Sequence, residues 1–184
     1  YSWSFSEIAA RSLLLTRGHR LGSTFILKGG YSTSDELLAF EPSEGVPNEL
    51  AIVPFESSVF GPYIHVYDTV LRGGLKIFAE YSQVEKHALI GGTDNTTLST
   101  LKTVYSHPWI LRNSREFLAK HKFSRVEINS TSHAVEFLAA NRDDPTIAAI
   151  GSAVQAEKHD LHILKENVAT SASSQSFDPA SYSI

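Results

Sequence analysis

The chain is expected to fold as an α/β protein on a mainly parallel sheet, and three features of its sequence say so. Short apolar or β-branched runs alternate with helix-like stretches at the spacing of strand–crossover–strand units, which close right-handed. Its 184 residues are 42% hydrophobic and 20% charged, enough for one substantial core or two small lobes and too apolar for wholesale disorder. There is no cysteine, so packing rather than disulfide bonding must hold the fold.

Taken in order, Ser4-Phe5-Ser6-Glu7 reads as a capping box that opens a first helix through Leu15, ended by Gly18. Thr24 to Leu27 is a short β-rich run, Ser34-Asp35-Glu36 caps a short helix through Phe40, and residues 41–49 form a polar loop. Leu50-Ala51-Ile52-Val53 predicts a buried strand that stops at Pro54, because proline cannot donate to a sheet ladder. Pro62 suits the first turn of a helix running to Leu71. Gly73-Gly74 ends that helix, and Leu75 to Ala79 is the next strand. After Gly91-Gly92 a Thr/Ser-rich connection leads to a second series of elements. Strands are expected at Thr103 to Tyr105, Arg125 to Ile128, Thr146 to Ile150 and Leu161 to Leu164. Helices are expected at Pro108 to His121, Ser132 to Ala140 and Val154 to Lys158. The pattern stops near Asn167, and residues 169–176 turn to Ser, Thr, Ala and Gln.

Composition narrows the function. Sixteen Lys and Arg against twenty Asp and Glu leave no basic surplus to neutralise a phosphate backbone, so nucleic acid is not an expected partner. The longest apolar runs, such as Leu13 to Leu15, fall far below the roughly 20 residues that span a bilayer, so no membrane association is expected and the cytoplasm fits. Any nucleophile must be an oxygen or a nitrogen. No pair of the eight histidines has zinc-ligand spacing on one helix, so no metal and no other cofactor is expected.

In an open α/β sheet, ligands bind beyond the carboxyl ends of the strands. The expected strands are followed by Glu56-Ser57-Ser58, Ser106-His107-Pro108, Ser130-Thr131-Ser132 and Gly151-Ser152. All four are hydroxyl-rich and are read as opening helices, a pattern that suits a small anion held by amides and hydroxyls, although Ser and Thr are also simply good N-caps. His107 stands out. At a strand end, ahead of a helix N-terminus, its pKa should be depressed and its neutral ring able to orient a substrate oxygen. Glu56 reads either as a partly buried acid with a raised pKa or as an acceptor bracing its loop, the second being preferred.

Several blocks resemble one known family. Val53-Pro54-Phe55-Glu56-Ser57-Ser58, with Gly61 and Tyr67-Asp68, is similar to the Val-Pro-Ile-Glu-Asn-Ser block of prephenate dehydratases. Thr103 to Pro108 resembles their Ser-His-Pro block, and Asn129 to Ser132 with Ala134 resembles their Ser-Thr-Ala block. Ala148 to Ser152 and Leu161 to Asn167 resemble the family's closing segment. The resemblance implies two α/β lobes of the type-2 periplasmic-binding-protein kind with the active site in the cleft between them. Residues 1–81 plus 167–184 would make one lobe and residues 82–166 the other. It implies a cofactor-free lyase that removes water and carbon dioxide from prephenate, and, by analogy, a homodimer.

The resemblance also has gaps. The family's Thr-Arg-Phe triplet, threonine for catalysis and arginine for the acidic substrate, corresponds here to Gln175-Ser176-Phe177. Ser57 replaces the asparagine of the Glu-Asn-Ser block, and no amino-acid-sensing regulatory domain is expected after Ile184. Losing a bidentate arginine contact would cost a few kcal/mol in a desolvated site. The expected activity is therefore a retuned one: dehydration or decarboxylation of prephenate, or a guided elimination or cyclisation of a related metabolite. His107, Glu56 and Gln175 are the expected catalytic residues. Ser57, Ser58, Ser106, Ser130, Thr131, Ser132, Ser176 and Phe177 are expected to bind substrate. The alternatives are a module that binds a small acid and a catalytically inactive partner of another enzyme.

Overall fold

The computed structural model describes residues 5–16, 50–57, 61–72, 77 and 79–169. The expected strand at Thr24 to Leu27, the helix at Ser34 to Phe40, and Ser58, Gln175, Ser176 and Phe177 lie outside the described residues.

The carboxyl-terminal part builds one sheet. Its strands are β3 (His87–Gly91), β4 (Thr103–Ser106), β5 (Ser124–Glu127), β6 (Ile147–Ser152) and β7 (His162–Lys165), in the spatial order β5-β4-β6-β3-β7. β4 pairs parallel with β5 and β6, whereas β3 pairs antiparallel with β6 and β7. Four of the five strands therefore point one way and β3 points the other, so the sheet is mostly parallel.

Side chains alternate across this sheet as the pleat requires. One face presents Leu89, Val104, Ala148 and Ile150 to Ile110, Leu111, Leu118 and Phe123. Those partners belong to α3 (Pro108–Asn113), α4 (Arg115–Lys120) and the turn after it. The other face presents Ala88, Ile90, Ile147 and Ala149 to Ala134, Val135, Leu138 and Ala156. These come from α5 (Thr131–Ala140) and α6 (Ala153–Lys158). Leu89, Ile90 and Ile150 are fully buried, each contributing about 1.5–3 kcal/mol of transfer energy. Both faces are covered, which is why β3 and β6 read as continuous apolar runs.

The expected helix over Pro108 to His121 is interrupted only at Ser114. This residue leaves helical geometry (φ −91°, ψ 7°), while the Ser114 amide still donates to the Ile110 carbonyl and the Leu118 amide to the Ser114 carbonyl. The chain bends there without stopping.

Toward the amino end, α1 (Phe5–Thr16) forms where the capping pattern placed it. Glu7 is held by Arg11 one turn on, with Nη2 2.6 Å from its carboxylate. Glu56–Ser57 (β1) pairs antiparallel with Gly61–Pro62 (β2), Gly61 taking φ +72°, a conformation that favours glycine. α2 (Ile64–Arg72) follows, so Pro62 stands in β2, two residues ahead of the helix it was expected to begin.

One expected strand is corrected. Residues 50–55 form no strand, and Leu50 is 57% exposed. The expected strand at Leu75 to Ala79 lies largely outside the described residues; Ile77 and Ala79 are described and are not in a strand.

Candidate functional site

Because β4, β5, β6 and β7 run together, their carboxyl ends share one edge of the sheet, and β3 starts there. Chain direction then sets up a topological switch point, where a crevice is expected. After β4 the chain passes to α3 on one face, and after the adjacent β6 it passes to α6 on the other. Neighbouring strands whose exits diverge leave a gap at their carboxyl ends, where α/β sheets take ligands.

His107 stands on the β4 side of this crevice. It is the N-cap of α3, and its Nδ1 accepts a hydrogen bond from the Trp109 amide at 3.3 Å. Partial burial lowers its pKa, and the neighbouring Glu127 carboxylate partly opposes that shift. The direction matches the sequence expectation, but desolvation rather than the helix terminus is the main cause. With Nδ1 accepting, the neutral ring carries its proton on Nε2, and among the described residues no partner takes that N–H.

Ser152 stands on the β6 side as N-cap of α6, accepting from the Gln155 amide at 3.2 Å. Ser130 caps α5 in the same way, accepting from the His133 amide at 3.0 Å. Thr131, half-buried, opens that helix, and its carbonyl approaches Gly151 at the end of β6. A methyl group at Gly151 would run into Val135 of α5, so glycine is what lets α5 lie across the β6 terminus. His107, Ser130, Thr131 and Ser152 are thereby brought to one edge.

Other expected residues fall elsewhere. The fully buried Ser106 Oγ donates to the Ile150 carbonyl at 2.7 Å, tying β4 to β6 beneath the crevice. Ser132 is buried at 3% exposure in the first turn of α5. The Ser106 hydroxyl is thus engaged within the sheet, and the Ser132 side chain is buried rather than open at the edge. Glu56 is exposed, so the buried-acid reading is set aside. Ser57 is half-buried in β1.

The sequence reading missed three features of the same edge. A cavity of about 170 Å³ lies between β6, β3 and β7, lined by Lys86, His87, Ala153, Glu166 and Asn167. His87, buried on a central strand, is held well below the ordinary histidine value of 6.5, at about 4, by desolvation. Its carbonyl accepts from the Val168 amide at 3.0 Å, so the chain enters and leaves this half of the molecule side by side. Finally, Trp109, directly after the Ser-His-Pro block, is half exposed with Arg112 over its ring.

A mostly parallel sheet with helices on both faces and a topological switch point at its carboxyl edge defines an α/β protein. Comparison with known proteins narrows this. The family model described as prephenate dehydratase matches residues 1–176, and the chain belongs to that family. A prephenate dehydratase of Methanocaldococcus jannaschii is 37% identical over 122 residues, 66% of this chain and 43% of that protein. The bifunctional chorismate mutase/prephenate dehydratase of Escherichia coli K12 is 30% identical over 163 residues, 88% of this chain and 40% of that protein. An Arabidopsis thaliana chloroplastic protein, arogenate dehydratase 3, is 34% identical over 138 residues, 74% of this chain and 32% of its own length. The chain thus spans about two fifths of the length of the first two relatives.

Among solved structures, prephenate dehydratase from Arthrobacter aurescens in complex with L-Phe superposes with a TM-score of 0.68 at 23% identity. The match covers 92% of this chain and 54% of that one. GqqA, described as a novel type of quorum quenching acylase, gives 0.60 at 20% identity over 91% of this chain and 57% of its own. At such identities these likenesses speak for the fold alone. No described helix is long and apolar enough to cross a membrane.

Proposed function

We propose that the chain is a cofactor-free lyase acting on prephenate, with loss of water and carbon dioxide giving phenylpyruvate. The observation that carries this reading is the gathering of the neutral His107 and three hydroxyl-bearing residues, Ser130, Thr131 and Ser152, at the carboxyl edge of the sheet in a chain of this family.

The chemistry asks for a held carboxylate, a positioned leaving hydroxyl and a dry cleft. As the bond to the ring carboxylate breaks, its electron pair enters the ring and the hydroxyl departs as water. His107 Nε2–H is placed to hold that hydroxyl by hydrogen bonding, while Ser130, Thr131 and Ser152 offer neutral contacts to the acid groups. A neutral imidazole gives no net proton. The proton that completes the water comes from a hydroxyl or solvent, and Gln175 with Ser176 and Phe177, standing where the family has Thr-Arg-Phe, is the segment proposed to tune that step. Ser57, Ser58 and Glu56 are proposed to face the crevice from the other lobe.

On this reading residues 82–166 form one lobe and residues 1–81 with 167–184 the other. The hydrogen bond between His87 and Val168, at the two crossings, supports that division. A cytoplasmic homodimer is the proposed setting. Arogenate is the competing substrate, since a relative bearing that name is 34% identical over 74% of this chain. Incubation with prephenate or arogenate, followed by ultraviolet absorbance and mass spectrometry of the product, tests the reading. Phenylpyruvate or phenylalanine is the expected product, and no conversion of either acid would overturn it in favour of a binding module.

A further inference from the structure

We propose that Trp109 and Arg112 form a recognition pair at the β4 side of the crevice, where the guanidinium receives a carboxylate of the acidic substrate and the indole holds it in place. This inference rests on the reading of the crevice as the substrate site.

Trp109 is the second residue of α3 and lies two residues beyond His107, so the turn that places the imidazole at the rim also places the indole beside it. Trp109 is 51% exposed, which leaves part of a large amphipathic side chain open at this edge. Arg112 stands one turn later. Long helical side chains lean back toward the helix N-terminus, and the guanidinium carbon accordingly sits 5.5 Å from the indole centroid. Stacking on a ring removes rotamer freedom from arginine while leaving its N–H fork available, which is how arginine is prepared for bidentate carboxylate binding. Among the described residues Arg112 makes no ion pair. Charge gives the same direction. Glu127, close enough to act on the His107 pKa, puts negative charge on this rim, so an acid approaching His107 needs a nearby cation, and Arg112 is placed to supply it. Lys86 lies at the other end of the edge, in the cavity beside β3.

The chain has two tryptophans, so a Trp3→Phe background leaves Trp109 as the sole indole reporter. Titration of the full chain with prephenate should change its emission saturably. Arg112→Gln should raise both the dissociation constant and KM about 10-fold with kcat changed far less. Arg112→Lys should recover part of this, and Trp109→Phe should stay closer to the starting chain than Trp109→Ala. Turnover with a KM indifferent to Arg112→Gln overturns the pair and leaves the proposed function standing. Saturable emission that Arg112→Gln abolishes, without any product, upholds the pair and overturns the function. Neither saturation nor turnover overturns both.

Discussion

The two edges of the central sheet are made of similar residues and put them to different use. At the edge where most strands begin, polar groups close on one another. The Asp144 carboxylate accepts from the Thr146 amide at 2.8 Å and hydroxyl at 2.7 Å, and Arg142 binds the Asp160 carbonyl. Lys122 and Asp160 turn the chain with positive φ. At the edge where those strands end, the caps of α3, α5 and α6 surround a crevice, and two histidines are held below their ordinary pKa by burial. A self-satisfied edge serves the fold. An edge that desolvates titratable groups gives up stability, which is the pattern expected where a ligand is to bind.

The sharpest way to break this comparison is to remove one polar side chain from each edge. His107→Ala should lower kcat/KM for the proposed reaction by about 100-fold, with the thermal midpoint lowered only by the loss of one N-cap hydrogen bond. Equal loss of activity from His107→Ala and from Asp144→Ala, measured on folded protein, would erase the distinction between the edges.

The next effect in size is pH-dependent. His87 has a folded-state pKa of about 4 against an ordinary 6.5, so between these values the unfolded chain binds the proton that the native chain refuses. Stability is complete above pH 6.5 and falls as the pH drops toward 4, by roughly 3 kcal/mol from this residue. Urea titrations at pH 7 and pH 4.5 should show a smaller difference for His87→Gln than for the unaltered chain. Parallel lines for the two proteins would mean that His87 is not desolvated.

These predictions bear on what was legible in the sequence. β4, β5, β6, β7 and the helices between them were read to within a residue or two, because each carries its own period and its own cap. β3 was not. Ala88-Leu89-Ile90 is too short an apolar run to announce a strand between a charged stretch and Gly91-Gly92, and its antiparallel place beside β6 is set by where the chain enters the sheet. Missing β3 also hid His87 and the cavity beside it. Burial of Ser106 and Ser132 was not legible, because a hydroxyl after a strand looks the same in sequence whether it faces solvent or, as for Ser106, the Ile150 carbonyl. Leu50 to Val53 shows the converse error: an apolar run ahead of a proline was read as a buried strand, whereas these residues form no strand and Leu50 is 57% exposed.

At the beginning edge, Gly92 offers a purely steric test. A methyl group there would collide with the Arg142 backbone, which cannot turn aside as a side chain can. Gly92→Ala should therefore destabilise by about 2 kcal/mol while the folded fraction keeps its KM. A changed KM would show that strain passes across the sheet to the crevice.

The smallest expected effect isolates a single clasp on the closed edge. Asp144 is exposed, and its pKa is lowered chiefly by the Thr146 amide, then by the Thr146 hydroxyl. A carboxylate whose folded pKa is depressed contributes stability above the unfolded value near 3.8, and that contribution disappears as the pH falls through the folded one. At pH 7, Asp144→Ala should lower the urea midpoint slightly without changing the slope, and the difference between the two proteins should shrink as the pH falls below 3.8 and through the lowered folded value. Solvent screens an exposed carboxylate, so the effect stays small, and the rate of the proposed reaction should not follow it. Were the rate to fall with the midpoint, the two edges would be coupled through β6, which begins at Ile147 just beyond the clasp and ends at Ser152 on the crevice.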